Sequence, residues 1–279
     1  MGAALTMTDS ACAGVPCAVL ASAPASYLQL LAQVLGALVE PGASVVLVAH
    51  AAASHEAALS AAGVRSIPVP ARFQTADLAA MADALAPDTR LVLLGNPDPV
   101  TGSFVSGDLL EAFLARMPAG VLVLLDESQD CVLPPALRHD SQRWPARHPG
   151  LLLCRQQDGQ SVLLGAPALM RRLDGPLQTA IAAAGADEPA LAQKAAALAQ
   201  LRAGLSALDL HCLPSAADFV LCRVGDAAAL LASLPAQPLA VRALVAEGMP
   251  QWLRVSVGSA TENEAFLAAL AAALRGGHV

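Results

Sequence analysis

The chain has 279 residues, of which 56 % are apolar and 14 % charged. That is ample material for a core and too little charge for a disordered chain. Its net charge of −7 comes with 16 basic residues that form no cluster, which argues against nucleic acid as a partner. No apolar run of about 18 residues lacks Pro, Gly or polar breaks, so no membrane span is expected.

The first residues, MGAALTMTDSACAGVP, lack a basic segment and carry an early acidic residue, unlike a secretory signal. The six cysteines, Cys12, Cys17, Cys131, Cys154, Cys212 and Cys222, show no metal-ligand spacing. Cys154, Cys212 and Cys222 lie in or beside apolar strand-like runs, where cysteine behaves as a small hydrophobe. A cytoplasmic protein with reduced thiols is expected.

Along the chain, PCAVLAS reads as a strand, SYLQLLAQVLGALVE as an amphipathic helix, and ASVVLVAH as a second strand after a PGA break. HEAALSAAG then reads as helix, VRSIPVP as strand, and TADLAAMADALA as helix with Thr75 at its N-cap. TRLVLLGN is a strand, SGDLLEAFLARM a helix with Ser106 as N-cap, and GVLVLLDES a strand. LRHDSQRWPARHPG, with His139 and His148, reads as a surface loop. Apolar strands alternating with amphipathic helices predict an α/β fold, a mostly parallel sheet with helices on both faces. Ligands in such sheets bind beyond the carboxyl ends of the strands, here at His50, Asn96 and Asp126.

After residue 185 the texture changes. EPALAQKAAALAQLRAGLSAL predicts a long helix, and ADFVLCRVG, PLAVRAL and QWLRVSVG predict strands. TENEAFLAALAAAL predicts a last helix with a Thr261/Glu264 capping box. The expected organisation is a large α/β domain over residues 1–185 and a small α+β domain over 186–279.

Four segments, NPDPVTG, VLLDES, ADFVLCRVG and LRVSVGSATENEAFLAAL, occur in an order that resembles the class I/II aminotransferases, nearest to the histidinol-phosphate aminotransferases. The resemblance runs from about residue 20 to the end. It implies an aminotransferase-like large domain followed by a small one. It also implies pyridoxal phosphate, held in this family by a Schiff-base lysine, a carboxylate on the pyridine nitrogen and a phosphate cup.

The match is uneven. The family pattern N-P-N-N-P-T-G corresponds to Asn96-Pro97-Asp98-Pro99-Val100-Thr101-Gly102, so the asparagine that bonds the cofactor's phenolic oxygen is Pro99. D-E-A-Y corresponds to Asp126-Glu127-Ser128-Gln129, which keeps the pyridinium partner Asp126 and replaces the tyrosine. The glycine-rich phosphate-binding start of the first helix becomes Ala21-Ser22-Ala23-Pro24-Ala25-Ser26, and the stacking aromatic becomes Ala53. Between the strands of LLLCRQQDGQSVLLGAP, residues Arg155 to Gln160 stand where the family has its serine-serine-lysine cluster, glycine-rich run and arginine. The one lysine, Lys194, falls on the long helix, where a solvated helical charge is expected. Relative to the family, the resemblance implies a late start without its N-terminal arm.

Arg254 matches the arginine that clamps the substrate carboxylate, a task suited to a bidentate guanidinium. The plainer alternatives are a strand arginine paired with a carboxylate for Arg254, a strand-end cap for Asp126, and a turn former for Asn96. No nucleophile elbow occurs, and His50 and His55 are wrongly spaced for a metal on one helix face. Asp126 and Asn96 are thus read as vestigial cofactor contacts, Arg254 as a substrate-binding residue, and no residue as catalytic. No cofactor and no metal are expected.

Two function classes follow. One is a non-catalytic pseudoenzyme, a binding or partner subunit pairing with itself or with a true aminotransferase through the apolar surface of SYLQLLAQVLGALVE. The other is a divergent enzyme using Asp126, Glu127 and Arg254 on an amino-acid-like or phosphorylated substrate. A small anionic ligand fits either.

Overall fold

The computed structural model describes residues 18–21, 27–129, 133, 137–157, 160–173, 188–236 and 239–275. The large sheet contains β1 (Ala18–Ala21), β2 (Ser44–Val48), β3 (Arg65–Val69), β4 (Thr89–Gly95), β5 (Leu122–Asp126), β6 (Leu151–Gln157) and β7 (Gln160–Gly165). Its order is β1-β7-β6-β5-β4-β2-β3. β7 alone runs against the rest, antiparallel to both β1 and β6. The remaining neighbours pair in parallel.

The pairing follows from side-chain alternation. In β2 every residue is buried. Val45 and Leu47 pack on one face with α1 (Tyr27–Leu38) and α2 (Ala52–Ala61), while Val46 and Val48 pack on the other with α3 (Leu78–Asp83) and α4 (Gly107–Ala115). A strand buried on both faces is a near-continuous apolar run, which marks the parallel strand in the sequence; the buried Ser44 at its start is satisfied by Asp88 and Thr89. The inner stripe of α1, Leu30, Leu31, Val34, Leu35 and Leu38, is consumed in this core. The apolar surface expected to pair subunits therefore faces inward, and Leu28 is the large hydrophobic that α1 leaves exposed.

After the short α6 (Pro167–Met170), the long helix α7 (Glu188–Ala207) leads to a three-stranded antiparallel sheet. Its strands are β8 (Phe219–Arg223), β9 (Val241–Leu244) and β10 (Met249–Ser256), in the order β8-β10-β9. The unit is completed by α8 (Ala227–Ser233) and α9 (Ala260–Arg275). Leu201, Leu205, Val220, Leu253, Val255 and Phe266 form its core.

Two helix ends, those of α3 and α9, differ from expectation, while that of α4 falls where expected. α3 is capped by Asp77, whose Oδ1 accepts from Ala80 N at 3.0 Å; Thr75 instead closes a turn with Arg72. A nearer carboxylate competes better for the free N–H groups. Ser106 occupies the N-cap of α4 but makes no side-chain cap bond. The capping box of α9 is Ser259/Glu262, two residues before the expected one, with Ser259 N donating to Glu262 Oε2 at 2.8 Å. Gly258 lets the chain turn there: a side chain would strike Leu239 and Glu262.

The segment read as a surface loop is not one. Residues 141–147 form a 3-10 turn and α5 (Trp144–Arg147), burying Ser141 and Trp144. His139 stacks on Trp144 with ring centroids 4.9 Å apart, and Phe104 lies on its other side at 5.9 Å. The local polar composition conceals this: Trp144 lies within the segment itself, but its partner aromatic Phe104 comes from a distant position.

Candidate functional site

The order of the large sheet reverses between β2 and β4, so the crevice at their carboxyl ends is the place where such a sheet offers a ligand site. Polar residues follow both strands there, and Tyr27 of α1 and His55 of α2 lie beside the strand ends.

His50, just after β2, and Asp98, just after β4, form a buried pair with Nε2 and Oδ2 2.9 Å apart. Asp98 Oδ1 also accepts from Val100 N at 2.9 Å, Thr101 N at 2.7 Å and Thr101 Oγ1 at 3.0 Å. Burial pushes Asp98 upward, but the hydrogen bond and charge of His50 and the two backbone N–H groups outweigh it, leaving the carboxyl below its ordinary value.

Asn96 is fully enclosed and faces its own loop. Its Nδ2 donates to Val105 O at 3.0 Å and its Oδ1 accepts from Val105 N at 2.7 Å. This two-way bond makes it a loop staple, the turn-forming alternative, with both polar ends occupied. Pro99 packs directly over Gly95, where even a methyl group would collide with its ring.

Asp126, at the end of β5, is 4 % exposed. Its Oδ1 accepts from Ser128 N at 2.9 Å, as a strand-end cap would. Burial, with a smaller push from Glu127 and Asp98 against the Ser128 bonds, raises its pKa to about 6. Tyr27 stands near it; burial first, then the charges of Asp126 and Cys154, hold the phenol well above its ordinary value and hence neutral. The phenol oxygen also lies 3.2 Å from His55 Nε2, while His55 Nδ1 sits 2.7 Å from Ala51 O. Donation of Nδ1–H to that carbonyl leaves Nε2 to accept from the phenol. Ala53 is exposed on α2, whereas His55, two residues on, turns inward.

Tyr27, His55, Pro99, Gly95, Asp98 and Asp126 meet around a cavity of about 10 Å³, room for about one water molecule. The sequence pattern drew attention to Asn96 and Asp126 but missed Tyr27, His55 and the His50–Asp98 pair. Their one legible signal was a histidine at a strand end; the tyrosine lies far away in sequence. Ser22 to Ser26, in the segment matched to the phosphate-binding start, lie outside the described residues.

Beside this crevice Glu127 is buried and accepts from Ser141 Oγ at 2.6 Å, with His139 Nε2 at 3.2 Å and Arg155 Nε at 3.8 Å. Serine and histidine each bond the carboxylate and not one another, so no activated hydroxyl results. Among the described residues no cluster of three metal-ligating side chains occurs.

Lys194 lies on α7 with its Nζ 2.9 Å from Asp218 Oδ2. It is a helical charge, as expected, partly exposed and paired with that carboxylate. Arg254, on β10, lies across β8: its guanidinium carbon is 3.8 Å from the centre of the Phe219 ring. Its buried Nε has no hydrogen-bond partner. Burial and then Arg242 lower its pKa, against the opposing pull of Asp218 and Glu247. Among the described residues no carboxylate pairs with Arg254; Glu247 bonds Arg242 instead, at 2.6 Å. The Asn96–Gly102 loop reaches the same unit, with Val100 packed among Phe219, Leu221 and Trp252 and Ala216 N donating to Gly102 O at 2.7 Å.

The family model for class I and II aminotransferases matches residues 162–270. The chain is 39 % identical over 263 residues to histidinol-phosphate aminotransferase 2 of Ralstonia nicotianae, covering 85 % of this chain and 70 % of that one. It is 37 % identical over 292 residues to histidinol-phosphate aminotransferase 1 of Thiobacillus denitrificans, covering 96 % and 75 %. The histidinol-phosphate aminotransferase of Sinorhizobium meliloti, solved in complex with pyridoxal-5'-phosphate, superposes with a TM-score of 0.73 at 20 % identity over 94 % of this chain and 77 % of that one. N-Succinyldiaminopimelate aminotransferase of Mycobacterium tuberculosis gives 0.75 at 19 % identity over 93 % and 78 %. Sequence identity across most of both chains and a shared fold lead to one conclusion: this chain belongs to the class I and II aminotransferase family, as a histidinol-phosphate-aminotransferase-like member.

Proposed function

We propose that this member is a pseudoenzyme, a binding or partner subunit that does not use pyridoxal phosphate. The observation that carries the reading is the crevice between β2 and β4. There, among the described residues, Tyr27, His55 and Pro99 line an enclosed cavity of about 10 Å³, smaller than a pyridine ring. The chain's lone lysine, Lys194, is engaged with Asp218 on α7. Among the described residues, no lysine stands at the strand ends and the enclosed space there is small. Arg254, with an unpartnered Nε and no carboxylate against it among the described residues, supports a surviving small-anion site. The partner is a second copy or a true aminotransferase.

Purified protein mixed with pyridoxal phosphate tests this directly. The expected result is the spectrum of free cofactor, with no borohydride-fixed adduct on Lys194 by mass spectrometry. A stoichiometric aldimine absorbance, or an adduct mapped to Lys194, supports the second reading of a divergent enzyme using Asp126, Glu127 and Arg254.

A further inference from the structure

A second, larger cavity lies away from the β2–β4 crevice, between the large sheet's loops and α7. Its volume is about 500 Å³, within the range of small-molecule sites. Phe104, Leu137, Leu198 and Leu213 line it, with Ser103 among the polar groups.

Two features set this cavity apart from ordinary surface relief. The first is Arg202 of α7, which lines it. Its Nη2 donates to Ser215 O, and among the described residues no carboxylate pairs with it. Burial lowers its pKa, with only Cys212 acting the other way. A partly buried guanidinium without a counter-ion has donors to spare for an anion.

The second is the turn at the cavity's rim. Arg72 and Thr75 exchange backbone bonds at 2.9 and 3.0 Å. The two residues between them, Phe73 and Gln74, have φ of 51° and 60°. Positive φ at both central positions is the requirement of a type I′ turn, normally met by Asn-Gly. Phenylalanine there is strained, and its ring is also 85 % exposed. Such outliers concentrate at ligand clamps. This turn places Phe73, whose ring centre lies 5.6 Å from the Arg72 guanidinium, among the residues that line the cavity together with Arg202.

We propose that the cavity between Phe73 and Arg202 binds a small organic anion with an aromatic or aliphatic body, its acid group on Arg202 and its apolar part among Phe73, Phe104 and Leu198. The site is independent of the pyridoxal-phosphate question and distinct from Arg254. Because Ser103 and Arg202 come from the two halves of the chain, the ligand bridges them.

The probe is anilinonaphthalenesulfonate, an aromatic anion that fluoresces on leaving water, displaced by phenylacetate as a second anion. Wild-type protein is expected to give saturable fluorescence. Arg202→Gln should weaken it about tenfold or more, the worth of a charged hydrogen bond, and Arg171→Gln, an exposed arginine elsewhere, should leave it unchanged. Ala199→Trp, at an exposed α7 position lining the cavity, should block it while Arg202 stays in place. Phe73→Asn combined with Gln74→Gly should raise the melting temperature by relaxing the turn, yet weaken the probe. Equal affinity in wild type, Arg202→Gln and Ala199→Trp overturns the proposal, as does the absence of saturable binding in wild type.

Discussion

His50 and Asp98, 48 positions apart in sequence, form a buried imidazole–carboxylate pair of 2.9 Å that joins the ends of β2 and β4. The pair stands at the reversal of strand order, and it anchors the loop that carries Pro99. His50→Leu should cost about 2 kcal/mol, the scale of a hydrogen bond to a charged group, with a smaller loss for His50→Gln, which keeps a donor. Denaturant melts at neutral pH check this. Because the folded pKa of Asp98 lies below its ordinary value, its contribution is complete above about pH 4 and is lost as pH falls through the folded value. A variant as stable as wild type at neutral pH refutes the anchor.

Asp126 works in the opposite direction. Its folded pKa of about 6 exceeds the unfolded value of about 4. The folded state therefore holds the proton more tightly, and the favourable contribution, present below the unfolded value, fades as pH rises to the folded one. Asp126→Asn keeps the acceptor for Ser128 N and removes the charge. Its melting temperature should exceed that of wild type at pH 8 by the equivalent of about 2–3 kcal/mol and converge with it at pH 4. Paired thermal melts across that window decide the matter. The lowered pKa of His55, due first to burial, gives both proteins the same opposing slope and cancels in the difference.

Arg254 is expected to mediate an anion-dependent gain in stability. Succinate should raise the wild-type melting temperature by mass action, and Arg254→Met, which preserves packing on Phe219, should abolish the shift without unfolding the chain. Burial of an unpartnered Nε costs stability, so the variant alone should melt at or above wild type. An undiminished succinate shift in Arg254→Met would place the anion elsewhere.

Assembly is expected to be dimeric. Since the apolar stripe of α1 is spent internally, pairing must use its outer face around Leu28 or another surface. Light scattering at micromolar concentration should give twice the chain mass, and Leu28→Glu should reduce it. A stable monomer, both alone and mixed with a histidinol-phosphate aminotransferase, removes the partner-subunit reading.

The sequence by itself determined the α/β layering, because strands buried on both faces are near-continuous apolar runs, as in β2, β4 and β5, whatever packs on them. It also determined the chemical inventory at the strand ends: Asn96, Asp126, a proline at position 99 and a lone lysine on a helix. It did not determine what fills the crevice. Tyr27 and His55 come from α1 and α2, and only the placement of these residues beside the strand ends brings the phenol to the imidazole and near the Asp126 carboxylate. The same holds for His139, whose polar neighbours suggest solvent until the distant Phe104 stacks on it, and for Phe73 and Arg202. The apolar periodicity of a strand or helix is a local property that survives in the sequence. Contacts between residues tens of positions apart depend on sheet order and helix placement, which the fold alone supplies.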